Sequence, residues 1–168
     1  MLRILGIDPG SRVTGYGIIV SDGVRSRHLV SGCIRLDEQE LSQRLGEIYR
    51  QVAGLVAEYA PDELAIEQVF VARNPASALK LGQARGAAIC AAVVAGLPVS
   101  EYTPRMVKQS VVGSGSADKE QVQHMVKRIL GLHESLAADQ ADALAVAISH
   151  AHASGLRLRT GALRGGGR

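Results

Sequence analysis

The hydrophobic and polar positions along the chain change period several times, and each change predicts a separate strand or helix. Short apolar runs bounded by turn residues predict β-strands at residues 2–8, 13–20, 24–36, 63–67 and 99–102. Apolar residues at helical spacing predict α-helices at residues 38–59, 75–94, 104–110, 118–130 and 139–153. Three strands followed by alternating helices and strands indicate a mixed α/β layout.

Small and capping residues add local detail to this layout. Gly15 and Gly17 in the second strand predict a bulge or a close approach by another segment of backbone. The Ala- and Gly-rich face of helix 75–94 suits either a dimer contact or packing against the sheet. Gly113 and Gly115 form a loop, and Ser116 is the predicted N-cap of the next helix.

Four carboxylates stand out because each lies beside residues that the pattern assigns to the core. Asp8 ends the first strand, Glu67 ends the fourth, and Asp139 and Asp142 begin the last helix. If the first and fourth strands are neighbours, Asp8 and Glu67 meet at one edge of the sheet. An ionised carboxylate at the edge of a core costs several kcal/mol unless its charge is compensated. Four of them without four cationic partners therefore predict a divalent metal.

The donor type indicates which metal, and the metal indicates the chemistry. Oxygen ligands without histidine or thiolate suit Mg²⁺ or Mn²⁺. Two such ions about 3.5–4 Å apart can activate a water and stabilise the leaving oxygen of a phosphodiester. The histidines offer no competing site, because three are isolated and the other two lie on different helix faces. The acids therefore predict phosphodiester hydrolysis.

Asp139 and Asp142 also have a simpler interpretation. Three residues apart on a helix, their side chains share one face, and the N-terminal helix dipole offsets part of their repulsion. Asp139 could then be an ordinary N-cap and Asp142 a solvated acid of the first turn. The two further acids at the strand ends favour the metal site.

Charge is distributed unevenly along the chain. The formal net charge of +3 comes from residues 155–168, which hold four arginines and no acid, while residues 1–154 hold 15 basic and 16 acidic side chains. Residues 73–128 contain eight Lys or Arg against three acids. Charge alone favours an ordinary solvated surface, but a basic segment beside a carboxylate cluster suits a polyanionic substrate. We expect one domain at 1–154 and a disordered Gly/Arg-rich tail at 155–168.

The chain shows no pattern of secretion or membrane insertion. No apolar run approaches the roughly 20 residues needed to span a bilayer, and the N-terminus lacks a signal-peptide pattern. Cys33 and Cys90 lie in apolar surroundings without C-x-x-C spacing, which predicts reduced core thiols. We therefore expect a cytoplasmic protein.

Five segments carry a recognisable pattern: GIDPGSRVTGYG at 6–17, AIEQVF at 65–70, SALKLGQARG at 77–86, VKQSVVG at 107–113 and DQADALA at 139–145. In this order they resemble segments of the RuvC family of bacterial Holliday-junction resolvases. The resemblance runs from Ile4 to His152, so it covers nearly all of the predicted domain. It does not include the basic tail.

The resemblance implies a ribonuclease-H-like three-layer fold with a mixed five-stranded sheet flanked by helices, and a homodimer. It implies a structure-selective endonuclease of recombination and repair that makes paired symmetric nicks in a four-way DNA junction, leaving 5′-phosphate and 3′-hydroxyl ends. Its catalytic and metal-binding acids would be Asp8, Glu67, Asp139 and Asp142, holding two Mg²⁺ ions that Mn²⁺ can replace. A preference for a sequence centred on two thymines and cooperation with the RuvA–RuvB branch-migration complex are also implied.

Other residues gain a role only through this resemblance. Phe70, which could also be a core residue, becomes a candidate for stacking on or wedging between bases. Lys108 and Lys119 become candidate catalytic and DNA-binding cations that neutralise charge on the reacting phosphate. The remaining candidate phosphate contacts are Arg73, Lys80 and Arg85, and the last two could equally serve the dimer.

Two other functions stay open at this point. Asp8-Pro9-Gly10 resembles the phosphate turn of actin-like kinases, whose core is also ribonuclease-H-like, but 168 residues cannot hold the two domains such kinases need. A non-catalytic junction-binding module is the other alternative. Such a module would have no need of four metal-binding acids.

Overall fold

The computed structural model describes residues 1–36, 40–69 and 74–164, with the backbone alone described for residues 156–164. It contains five strands, β1 (Leu2–Asp8), β2 (Val13–Ser21), β3 (Ser26–Arg35), β4 (Glu63–Glu67) and β5 (Val99–Tyr102). The helices are α1 (Leu41–Tyr59), α2 (Pro75–Val94), α3 (Pro104–Val112), α4 (Lys119–Leu130) and α5 (Ala138–Arg164). All ten elements were predicted from the pattern, with differences at their ends.

The strands form one mixed sheet in the order β3-β2-β1-β4-β5. β1 pairs with β2 in antiparallel fashion and with β4 in parallel fashion, so that Leu5 lies beside Leu64 and Ile7 beside Ile66. β4 and β5 are also parallel. The predicted central pairing of the first and fourth strands is therefore confirmed. It places Asp8 and Glu67 at the carboxyl ends of two neighbouring parallel strands.

Helices cover both faces of the sheet and complete the predicted three-layer architecture. On one face, the core contains residues such as Leu5, Ile7 and Ile66 together with Ile48 of α1 and Ala88 of α2. On the other, Ile4, Ile19 and Ala65 pack with apolar residues of α3, α4 and α5. The many alanines of α2 and α5 allow these helices to lie close to the sheet.

Three glycines let α5 approach the sheet more closely than side chains would permit. A Cβ atom on Gly6 would overlap the carbonyl oxygen of Ala143, and one on Gly15 would overlap that of Asp139. A Cβ atom on Gly17 would lie 2.5 Å from Cδ2 of Leu144. We call Gly6, Gly15 and Gly17 the glycine track. The prediction of a close approach at Gly15 and Gly17 is confirmed, and β2 also contains a register shift between Ile18 and Ile19.

The last helix is longer than the pattern predicted. The sequence pattern ended it at about residue 153, whereas α5 continues to Arg164. Gly155 is buried, and a Cβ there would lie 2.7 Å from Cα of Gly23. It is therefore a packing glycine inside the helix, and residues 165–168 lie outside the described part of the chain.

Two smaller predictions were also wrong. The N-cap of α4 is Asp118 and not Ser116, since Asp118 and Gln121 form a reciprocal capping box. Cys33 is half-buried and Cys90 is exposed on α2, so the cysteines are free thiols but not core residues. Among the helices of the described residues, none is long and apolar enough to cross a membrane.

Candidate active site

The alternation of side chains along two central strands directs their terminal acids toward α5. Ile4 and Ala65 point to the side of the sheet covered by α5, whereas Ile7 and Ile66 point to the opposite side. Since successive side chains of a strand alternate between the faces, Asp8 and Glu67 point to the α5 side. The parallel pairing of β1 and β4 then places these two acids next to each other.

α5 brings the other two acids to the same edge from above the sheet. The helix begins at Ala138 and carries Asp139 in its first turn. Its first residues lie against the glycine track, with the Asp139 carbonyl directly over Gly15. Because Gly15 pairs with Asp8 in the sheet, this packing fixes Asp139 and Asp142 near Asp8. Acids from opposite ends of the sequence thus share one site.

Burial and mutual repulsion perturb the acids strongly. The pKa of Asp8 is raised from 3.8 to about 8, first by burial and then by the charges of Glu67, Asp142 and Asp139. The pKa of Glu67 is raised from 4.5 to about 7, again by burial first and then by Asp142. In the metal-free protein the site therefore retains protons near neutral pH. Groups perturbed in this way, in a cleft, are typical of functional sites.

Two lysines oppose this repulsion. Burial raises the pKa of Asp142, while the positive charge of Lys119 and then that of Lys108 act to lower it. The Nζ atom of Lys119 lies 3.5 Å from Oδ2 of Asp142, although the Lys119 side chain remains 75% exposed. Lys108 is half-buried and Lys119 exposed, and the pKa values of the acids stay raised despite both cations.

A cavity of about 390 Å³ opens between these groups. Asp8, Glu67, Asp142, Lys108 and Lys119 all line it, together with Pro9, Gln68, Val69, Leu81, Pro104, Val107, Val122 and Ala145. Asp139 does not line this cavity; it lies toward β3, where its charge adds to the effect of burial in raising the pKa of Cys33. Of the sequence-predicted acids, three thus meet in the cavity and the fourth flanks it.

The chemistry of these donors fits a hard divalent cation. A bound positive ion would compensate the charges of these buried, mutually repelling carboxylates, and carboxylate oxygens are the ligands that Mg²⁺ prefers. Within the described residues, however, no three His, Cys, Asp or Glu side chains are close enough to hold one ion. The carboxylates therefore interact through their charges without forming a closed coordination shell, and small side-chain rotations would be needed to bind an ion.

The predicted DNA-contact residues fall in different environments. Lys80 is exposed on α2 and available to a phosphate. Arg85 is instead paired with Glu101, and its side chain is only 19% exposed. Phe70 and Arg73 lie outside the described residues. Gln68 and Glu101 were not predicted from the sequence; both are polar residues next to a strand end, which is the pattern that could have revealed them.

The comparisons with known proteins agree with this geometry. The family model for crossover junction endodeoxyribonuclease RuvC matches residues 4–150. The chain belongs to the RuvC family. It is 60% identical over 152 residues to the RuvC of Marinobacter nauticus, covering 90% of this chain and 87% of that protein.

Solved structures of one RuvC and of one more distant protein show the same fold. Thermus thermophilus RuvC in complex with a Holliday junction substrate aligns with a TM-score of 0.87 at 36% identity, covering 93% of this chain and 96% of that one. The yeast mitochondrial Holliday junction resolvase Ydc2, at 16% identity and a TM-score of 0.68, shares the fold. The ribonuclease-H-like expectation is therefore confirmed. All four acids fall within the range of the family match.

Proposed function

We propose that this chain is a structure-selective endonuclease that resolves four-way DNA junctions by paired symmetric nicks. Each nick would hydrolyse one phosphodiester and leave 5′-phosphate and 3′-hydroxyl ends. The observation that carries the proposal is the meeting of Asp8, Glu67 and Asp142 with Lys108 and Lys119 around one cavity, in a chain of the RuvC family. This combination unites acids for metal binding with cations for a phosphate.

The four acids would hold divalent metal, with Mg²⁺ as the physiological ion and Mn²⁺ as a substitute. Two bound ions would supply an activated water and stabilise the leaving oxygen. Asp8, Glu67 and Asp142 would face the scissile phosphate, and Asp139 would complete the metal site from the β3 side. Protons held by Asp8 and Glu67 would leave as the metal binds.

The lysines would act on the substrate and not on the metal. Lys119 is exposed and within 3.5 Å of Asp142, so its ammonium group can reach a phosphate oxygen next to the acids. Lys108 lines the same cavity from α3. Both would stabilise the additional negative charge that develops on the phosphate in the transition state.

DNA contacts beyond the cavity would come from the neighbouring segments. Lys80 would contact a phosphate from the exposed side of α2, and Arg73, which precedes α2 in the sequence, would do the same. Phe70 would stack on or wedge between bases near the centre of the junction. These contacts would align the scissile phosphate with the acids.

Paired nicks require two active sites, so we propose a homodimer. Leu79, Val93 and Val94 of α2 are exposed apolar residues, and Cβ atoms on Gly82 and Gly86 would meet no neighbouring atom. This surface of α2 suits a contact with a second copy. We further propose a cytoplasmic location and cooperation with the RuvA–RuvB complex, as in the family.

The deciding experiment compares a labelled four-way junction with a linear duplex of the same sequence, in Mg²⁺ and in EDTA. We expect paired nicks in the junction alone, none in EDTA, and normal junction binding without nicks for Asp142→Asn. Binding without nicks by the unmodified chain, in Mg²⁺ or Mn²⁺ and across several junction sequences, would indicate a non-catalytic binding module. Hydrolysis of ATP in place of DNA would favour the kinase-like alternative.

A further inference from the structure

The guanidinium group of Arg85 lies under the end of β4, on the opposite face of the sheet from the acids. Its Nε donates a hydrogen bond to the backbone carbonyl of Glu67 at 3.2 Å. Its Nη2 lies 2.7 Å from Oε2 of Glu101. This contact is an ion pair and not a hydrogen bond, because the N–H bonds of Nη2 do not point at the oxygen. Arg85 therefore connects α2 to the backbone of a candidate metal ligand and to β5.

Glu101 extends this arrangement to the residue after Glu67. The same oxygen, Oε2, accepts a hydrogen bond from Nε2 of Gln68 at 3.3 Å, while the backbone N–H of Gln68 donates to the carbonyl of Tyr102 at 2.8 Å. The pKa of Glu101 is lowered, first by Arg85 and also by the hydrogen bond from Gln68, although burial acts to raise it. Glu101 is thus ionised at neutral pH and the pair is intact.

The peptide that follows Glu67 is held at both of its ends. Arg85 binds its carbonyl oxygen and the β5 backbone binds its N–H group. Glu67 is also the last residue of β4; it pairs with Tyr102 of β5, while the pairing of β4 with β1 ends one residue earlier, at Ile66. Rotation of this peptide would swing the carboxylate away from Asp8 and Asp142, because backbone direction determines side-chain direction at a strand end.

We infer that Arg85 is a positioning residue for the Glu67 carboxylate, acting through the backbone at the end of β4 with Glu101 as its partner, and not a DNA phosphate contact. The inference rests on the proposed function for its link to cleavage. Nε and Nη2 of Arg85 are engaged with the Glu67 carbonyl and Glu101, and the side chain is only 19% exposed, so Nη1 alone is left for a phosphate. Groups that orient a metal ligand typically change metal affinity by about 10–100-fold when they are replaced.

The test uses Arg85→Gln and Glu101→Gln in the full chain, with Arg50→Gln as a matched control. Arg50 forms an ion pair with Glu47 at the same 2.7 Å distance, on α1 and away from the cavity. Four quantities are measured: Mn²⁺ affinity of the DNA-free protein by calorimetry, junction affinity against salt concentration, the single-turnover cleavage rate at saturating enzyme, and the melting temperature.

For Arg85→Gln we expect Mn²⁺ binding and the saturated cleavage rate to fall about 10-fold or more, while junction affinity and its salt dependence stay as in wild type. Glu101→Gln should change the same quantities in the same direction by a smaller factor. Arg50→Gln should change none of the four. Arg85→Lys keeps the positive charge but cannot make both contacts, so it should not restore Mn²⁺ affinity.

The opposite pattern would overturn the inference. One contrary result is a fall in the salt dependence of junction binding, in the Arg85→Gln protein, by the amount expected for one lost phosphate contact. If that protein also cleaves at the wild-type saturated rate, Arg85 is a DNA contact. Wild-type Mn²⁺ affinity in a folded Arg85→Gln or Glu101→Gln protein would also overturn it. Should Arg85→Gln fail to fold, Glu101→Gln decides. If wild type does not cleave, the proposed function fails, and the Mn²⁺ measurement still decides the role of Arg85.

Discussion

Replacement of Asp8 by asparagine should make the metal-free protein more stable above neutral pH while abolishing cleavage. Asp8 has a pKa of about 8 in the folded chain against 3.8 for an ordinary aspartate. The folded state therefore binds more protons than the unfolded state between these values. Its contribution to stability is complete below about pH 4 and is lost as pH rises through about 8. An asparagine side chain at this position does not ionise, so the loss should disappear in the variant.

The magnitude follows from the size of the shift. One pKa unit corresponds to about 1.4 kcal/mol, but part of the shift comes from repulsion that neighbouring acids share. We therefore expect a relative gain of about 2–3 kcal/mol on going from pH 5 to pH 8. For a chain of this size each kcal/mol moves the melting temperature by about 2–4 °C. The variant should thus gain about 5–10 °C on wild type over that interval.

The assay is thermal unfolding in EDTA at pH 5 to 9, with Glu58→Gln as a control for an exposed acid on α1. In a second series, Mg²⁺ should stabilise wild type at pH 8 and have much less effect on Asp8→Asn. Parallel curves of melting temperature against pH for wild type and Asp8→Asn would refute the reasoning. So would a variant that is less stable than wild type at every pH, since that result would assign Asp8 a structural role.

Three further predictions concern other parts of the molecule. Gly15→Ala should displace α5, lowering both the melting temperature and the saturated cleavage rate, because its Cβ would overlap the Asp139 carbonyl; normal values of both would contradict the glycine-track argument. Lys119→Met should shift metal binding to higher pH, since Lys119 lowers the pKa values of Asp142 and Glu67; calorimetry at pH 6 to 9 measures this, and an unshifted profile would contradict it. Truncation after residue 155 removes four arginines and should reduce the salt dependence of junction binding without moving the nicks, as gel assays at several salt concentrations can test.

The strand ends of the candidate site could be predicted because local pattern determines them. An apolar run that ends in an acid is visible in the sequence for both Asp8 and Glu67, and the order of elements limits the ways the strands can pair. The sequence pattern could not reveal that Asp139 flanks the cavity while Asp142 lines it. That difference depends on how α5 is rotated over the sheet, which packing alone decides.

Contacts between distant segments could not be predicted from the sequence. Gly155 stands at the start of the predicted tail, yet it packs against Gly23. Arg85 resembles a surface cation until Glu101, from another strand, is found within 2.7 Å. The same is true of His150, which is fully buried and hydrogen-bonded to Tyr102 at 2.8 Å and to Glu63 at 2.6 Å. Such pairings are set by tertiary structure and leave no local pattern.

The position of α5 at the end of the described chain has a consequence for biosynthesis. Translation proceeds from the N-terminus, and the strands that carry Asp8 and Glu67 are complete long before the ribosome reaches Asp139. Half of the acids, carried by α5, are therefore made after both strands. A chain that stops before Asp139 lacks them and has no assembled site.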